Sequence, residues 1–237
     1  MSQYAVTNPA TGEVVETFDG ATDQQIQEAI ADSKRAFTKW SAQPYSYRAE
    51  RLKKLADLLR TNSRELAEVS CTEMGKPLDE MLGEIEFSAD IIDYYADNGE
   101  KFASEQQIPT QGGNAVMRHL PIGPLLGIMP WNFPYYQVAR FAGPNLMLGN
   151  TIILKHAEIC PRSALSFEEL TREAGIPAGV YTNVFATHEQ ISDIIADRRI
   201  QGISLTGSER AGAAVAAQAG EQLKKVVLEL GGTDPYI

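Results

Sequence analysis

From Leu125 onward the sequence alternates short apolar runs with stretches of helical periodicity, and this alternation constrains the fold more than any other feature. The apolar runs are Leu125 to Met129, Thr151 to Leu154, Tyr181 to Phe185 and Val226 to Leu228, with a weaker one at Ile203 to Leu205. Helical stretches lie between them at about 134–149, 162–174, 188–196 and 208–220. Strands separated in this way pair in parallel, because each return passes through a helix packed on a sheet face. The expected class is α/β, a doubly wound parallel sheet with helices on both faces, and such a sheet takes its ligands at the carboxyl ends of the strands.

The first hundred residues read differently, as helices after a short extended start. Thr22-Asp23-Gln24-Gln25 has the form of a capping box, and Ile26, Ala29, Ile30, Ser33, Phe37 and Trp40 then recur on one face. A second helix follows Pro44, with Leu52, Leu55, Ala56 and Leu59 as its buried stripe, and a third runs from near Asn62 to Gly75-Lys76-Pro77. The fourth extends from Leu78 to about Asn98, carries Met81, Leu82, Ile85, Ile91, Ile92 and Tyr95, and has Gly99 in place to cap it. After Gly112-Gly113, Val116 to Leu120 alternates apolar and basic residues, as an edge strand or protruding hairpin does.

Composition excludes several classes of partner. With 43% hydrophobic and 22% charged residues in 237, the chain can bury a sizeable core. A formal charge of −10 disfavours phosphate backbones and anionic lipid, so neither nucleic acid nor a membrane is expected as a partner. Met1 to Tyr4 lacks a basic or apolar leader, and the most apolar run, Leu120 to Tyr136, is interrupted by four prolines and two glycines; a cytoplasmic protein is expected. Cys71 and Cys160 have no metal-ligand spacing and read as small buried hydrophobes, with no metal site.

Four segments at the carboxyl ends of expected strands can carry chemistry. Met129-Pro130-Trp131-Asn132-Phe133-Pro134 leaves one strand for a helix, with Pro134 suited to its first turn; Asn132 either caps that helix or aims its amide N–H at a developing oxyanion. In Leu154-Lys155-His156-Ala157-Glu158, the lysine and glutamate stand in one loop and could hold sugar hydroxyls, or simply be solvated charges. In Leu205-Thr206-Gly207-Ser208, Gly207 permits close backbone approach and Ser208 opens a helix whose N–H groups favour phosphate, although a plain strand-to-helix turn has the same composition. Glu229, between apolar Leu228 and Leu230 and ahead of Gly231-Gly232, is a general-base candidate, or a glutamate in a tight turn.

Taken together, these segments resemble the aldehyde dehydrogenase superfamily over the whole chain, from Asn8-Pro9-Ala10-Thr11-Gly12-Glu13 to Leu228-Glu229-Leu230-Gly231-Gly232. Glu73-Met74-Gly75-Lys76-Pro77 and Pro121-Ile122-Gly123-Pro124 resemble two further signatures of that family. The resemblance implies a Rossmann-like NAD(P)-binding domain made of residues 1–107 and 125–237, with 108–124 as an oligomerisation hairpin of a homo-dimer or tetramer. It implies that Asn132 donates to a thiohemiacetal oxyanion and that Glu229 activates the water that hydrolyses a thioester. It also assigns Lys155 and Glu158 to the adenosine ribose and Trp131 and Ser208 to the pyrophosphate, with Met129, Pro130, Gly207 and Leu230 beside the cofactor.

Arg140, eight positions after Asn132, is expected back on the same helical face, where members acting on succinate semialdehyde resemble this chain. A guanidinium there suits a small anionic aldehyde, unless it pairs with a neighbouring acid. Glu158 should repel a 2′-phosphate, so NAD is expected in preference to NADP, although His156 and Ala186-Thr187-His188 depart from the family's usual residues. The family's nucleophilic cysteine has no counterpart here; the expectation is an N-terminal part, inactive alone, whose catalytic domain is absent and whose Asp234-Pro235-Tyr236-Ile237 begins another strand. A non-catalytic dinucleotide-binding or assembly module is the alternative, while a phosphorylating relative would not need Glu229.

Overall fold

The computed structural model describes residues 4–233 and residue 235, so the strand expected over 234–237 lies largely outside the described residues. The extended start is an antiparallel pair, β1 (Tyr4–Thr7) and β2 (Val14–Phe18). Helices α1 (Asp23–Trp40), α2 (Tyr45–Thr61), α3 (Ser63–Met74) and α4 (Leu78–Phe102) follow. The capping box forms as expected: Thr22 Oγ1 accepts the Gln25 N–H while Gln25 Oε1 accepts the Thr22 N–H. Helix α3 stops at Gly75, in the left-handed region with φ 79°.

Gly99 does not cap α4. The helix continues to Phe102, and Gly99 sits buried within it because Met147 occupies the space a side chain would need; an added Cβ would stand 2.3 Å from Met147 Cγ. Periodicity within α4 carries no information about a neighbour 48 positions away in sequence, so the glycine was open to misreading as a stop.

A small hairpin, β3 (Gln106–Ile108) with β4 (Ala115–Met117), precedes the main sheet. That sheet is built from β5 (Pro124–Met129), β6 (Thr151–His156), β7 (Tyr181–Asn183), β8 (Gly202–Gly207) and β9 (Lys225–Leu230), all parallel, in the order β7-β6-β5-β8-β9. Helices α5 (Tyr136–Leu148), α6 (Pro161–Glu173), α7 (His188–Ala196) and α8 (Glu209–Glu221) make the crossovers. The chain winds outward from β5 to β7, then returns past β5 to β8 and β9, so the strand order reverses at the β5–β8 border, where ligands of such sheets bind.

Alternation along the strands divides the core. Leu125, Met129, Ile152 and Leu154 join a cluster with α2, α4, α5 and α6, while Leu126, Ile153, Ile203 and Leu205 join one with α1, α7 and α8. Strand β6 runs further than its apolar stretch suggests: Lys155 and His156 belong to the strand rather than to the loop, paired with Ile128 and Met129 of β5. Among the described residues, no helix is long and apolar enough to cross a membrane.

Candidate active site

Beyond Met129 the chain makes an exposed bend through Trp131, Asn132 and Phe133 before burying Pro134 and Tyr135. Asn132 does not cap α5, whose first residue is Tyr136 and whose N-cap, Tyr135, makes no side-chain capping bond. The Gln137 N–H does reach Phe133 O at 3.1 Å, but Pro134 precedes the N-cap, so it stands in the turn that leads into α5 rather than in the first helical turn expected for it. A carboxylate from α4 does the capping: Glu84 Oε1 accepts the Tyr135 and Tyr136 N–H groups at 2.9 and 3.1 Å, and its Oε2 takes Lys76 Nζ at 2.6 Å. The Lys76 ammonium lies 3.6 Å from the centroid of the Phe133 ring.

Two further contacts pin this loop. His156 Nε2 donates to Pro134 O at 3.0 Å while its Nδ1 accepts the Ala157 N–H at 2.8 Å, which sets the tautomer. Burial pushes this imidazole down to about pH 4 for half-protonation, so it stays neutral near neutrality. Cys160 Sγ lies 3.9 Å from Trp131 O, and burial, with Glu73 and Glu84 nearby, pushes its thiol far above the ordinary range. Cys71 lies on α3, part-buried, and its thiol is also raised by burial, so both described cysteines have the character of inert packing residues. Trp131 and Phe133 remain about half exposed beside Asn132, leaving a bare aromatic surface at the end of β5.

At the end of β6, Lys155 is 6% exposed and its Nζ meets Glu158 Oε1 at 2.6 Å. Burial works against the charged form of Glu158, but the bond to Lys155 and that residue's charge outweigh it, and the carboxyl sits below its ordinary value. The two charges form one fixed unit with unused donor and acceptor capacity, which is what recognition of a vicinal diol requires.

At the end of β8, Ser208 is the N-cap of α8 and accepts the Ala211 N–H at 3.3 Å, leaving the helix amino end open beyond Gly207. Leu230, at the end of β9, lies over Gly212 of α8, where a side-chain carbon would stand 2.5 Å from the leucine.

Between α5 and the exposed face of β8 and β9 runs a groove of about 350 Å³, lined among others by Met129, Gln137, Arg140, Thr206, Val227 and Glu229. Parallel register sets Thr206 beside Glu229, and alternation sends both toward α5. Arg140 reaches across: Nη2 to Thr206 Oγ1 is 3.4 Å and Nη1 to Glu229 Oε2 is 3.7 Å. The helical spacing from Asn132 does not explain this placement, since Asn132 lies outside α5; the stripe Gln137, Arg140, Phe141 and Asn145 of α5 does. Met129, Arg140 and Glu229 thus share one groove, while Asn132 stands three residues past Met129 in the exposed bend and is not among the groove's lining residues.

Sequence reasoning missed the supports. Glu84 and Glu73 are 5% and 2% exposed, each a carboxylate on the buried stripe of its helix, and that interruption was the available signal. Glu73 does for α6 what Glu84 does for α5: its Oε1 accepts the Arg162 N–H at 2.5 Å and its Oε2 the Ser163 N–H at 3.1 Å. The segment Glu73-Met74-Gly75-Lys76-Pro77 therefore positions the amino ends of two helices that follow site loops.

Comparison with known proteins places the chain in a family. The profile of the aldehyde dehydrogenase family matches residues 1–237. The chain is 48% identical over 234 residues to succinate-semialdehyde dehydrogenase [NADP(+)] of Deinococcus radiodurans, covering 99% of this chain and 49% of that protein. It is 41% identical over 230 residues to succinate semialdehyde dehydrogenase [NAD(P)+] of Escherichia coli, covering 97% and 50%. The crystal structure of succinic semialdehyde dehydrogenase from Streptococcus pyogenes in complex with NADP+ superposes with a TM-score of 0.96 at 44% identity, covering 98% of this chain and 51% of that one. The chain thus spans about half the length of the curated relatives it matches. These relatives name NADP(+) or NAD(P)+, and so do not support the preference for NAD drawn from Glu158. With a Rossmann-like sheet whose strand ends carry these motifs and a family profile that matches from first residue to last, this chain belongs to the aldehyde dehydrogenase family.

Proposed function

We propose that the protein containing this chain oxidises succinate semialdehyde to succinate, with NADP or NAD as hydride acceptor. The observation that carries this reading is the Arg140 guanidinium facing the groove beside Glu229, 36% exposed and so accessible to an anion. A cation next to a candidate base suits an aldehyde with a distal carboxylate, because the charge pair fixes which end of the substrate faces the chemistry. On the full-length protein, Arg140→Ala should raise KM for succinate semialdehyde at least about 10-fold while changing KM for an uncharged aldehyde of similar length less than about 2-fold. Equal changes for both substrates would remove the argument.

The residues present fit a nicotinamide dinucleotide. The open amino end of α8 at Ser208 lies where the strand order reverses, and suits a pyrophosphate; the Lys155–Glu158 unit suits a ribose; Trp131 and Pro130 offer the surface between them, backed by the buried Met129. When bound, the cofactor supplies the hydride acceptor. In this reading Asn132 donates its amide N–H to the oxyanion formed when a thiolate adds to the aldehyde, and Glu229 takes the proton of the water that releases the acid. The thiolate comes from a cysteine other than buried Cys160 and part-buried Cys71, whose thiols burial keeps protonated, and the chain alone is inactive; an acyl adduct mapped by mass spectrometry to either cysteine would refute this.

Because Lys155 already holds Glu158, the carboxylate's repulsion of a 2′-phosphate is partly cancelled, and both cofactors are accepted. Glu158→Ser should shift the kcat/KM ratio about 10-fold toward NADP. An unchanged ratio would exclude Glu158 from cofactor choice. The hairpin region 108–124, with Ile108, Met117 and Leu120 40–68% exposed, is the proposed surface of a homo-oligomer, measurable by light scattering on the full-length protein. The preparation should behave as a cytoplasmic enzyme, recovered without detergent.

A further inference from the structure

Arg140 stands between a hydroxyl of β8 and a carboxylate of β9. Its guanidinium bridges Thr206 Oγ1 and Glu229 Oε2 at 3.4 and 3.7 Å, both long for a charged contact, and the Arg140 and Glu229 side chains are 36% and 52% exposed. An ion pair so open to water contributes about 0–1 kcal/mol, whereas a carboxylate seated squarely on a guanidinium fork makes two shorter parallel bonds. A mobile carboxylate arriving in the groove can therefore displace Glu229, which is tethered to β9 and held at the edge of contact.

Resting on the substrate reading given above, we propose that Arg140 is exchanged between Glu229 and the distal carboxylate of the substrate. The resting groove holds the Arg140–Glu229 pair, and an anionic substrate takes the guanidinium and leaves Glu229 unpaired for its work on water. An uncharged aldehyde leaves the pair in place. Arg140 is then a positioning residue for Glu229 as well as a binding residue, and selection for an acid-bearing aldehyde acts on the later, water-dependent step as well as on binding. Thr206 serves as the fixed point: its hydroxyl, in register with Glu229 on the neighbouring strand, holds one nitrogen of the fork while the other changes partner.

The test is a double-mutant cycle on the full-length protein, read by calorimetric Kd for succinate in wild type, Glu229→Gln, Arg140→Gln and the double variant. Exchange requires that Glu229→Gln tighten succinate binding about 3-fold when Arg140 is present, because the competitor is gone, and that this gain vanish in the Arg140→Gln background. If Arg140→Gln abolishes measurable binding, Arg140→Lys, which keeps the charge but cannot span Thr206 and Glu229, serves as the second background. Tightening of the same size in both backgrounds would reduce Glu229 to a simple like-charge repulsion and overturn the exchange, as would no tightening in either. Failure of the substrate reading looks different: Arg140→Gln would then bind succinate as well as wild type does.

Discussion

Strands β6 and β9 are each six residues long and each carries apolar residues with a lysine, yet β6 is buried at every position and β9 at none. Helices α1 and α5 cover β6 on its two faces and strands β5 and β7 flank it, whereas β9 has β8 on one edge, α8 on one face and the groove on the other. The difference decides what a charge can do. In the closed half, Lys155 is locked to Glu158 and His156 is held neutral, because an unpaired charge there is costly. In the open half, Arg140 and Glu229 are loosely paired and can change partners.

Three measurements would break or sharpen this contrast. The largest effect is expected at the closed side's buried clasp: Glu84→Ala leaves Lys76 without its partner and two N–H groups of α5 unbonded, and should cost about 3–5 kcal/mol in urea denaturation. A cost below about 1 kcal/mol would show that the loop bearing Asn132 is held by something else. Next, truncating one apolar side chain on each strand compares the halves directly. Leu154→Ala should lose about 2–5 kcal/mol and Val227→Ala, 56% exposed, only about 0.5. Similar losses would mean the groove face is closed in solution.

The smallest concerns pH. Folding favours neutral His156, with a native value of about 4 against an ordinary 6.5, so the folded state is stabilised above pH 6.5 and loses that contribution as pH falls through 4. Between pH 7 and 5 the loss should be about 2 kcal/mol, and His156→Gln should flatten it. A variant as pH-sensitive as the wild type would place the titration elsewhere.

Much of this was legible in the residues. Strand and helix alternation after Leu125 announced a parallel sheet, and the capping box at Thr22, the left-handed stop at Gly75 and Ser208 at the start of α8 all stand where local rules put them. Other features could be read only in part. Glu84 was visible as a carboxylate interrupting an apolar stripe, but not as the cap of a helix 51 positions away. Arg140 was expected near the substrate for a spacing that starts outside its helix, and pairing with some neighbouring acid was left as the alternative, with nothing in the sequence to single out Glu229. Glu158 read alone as a guard against a 2′-phosphate; its bond to Lys155 weakens that role.

Sequence by itself determined the order and kind of the elements, because periodicity, caps and turn residues act through neighbours a few positions apart. Only the tertiary structure decided which charges are clasped and which remain exchangeable, since that depends on what covers each strand. Thr206 and Arg140 meet across 66 positions, and no local pattern records that contact or how open it is to solvent.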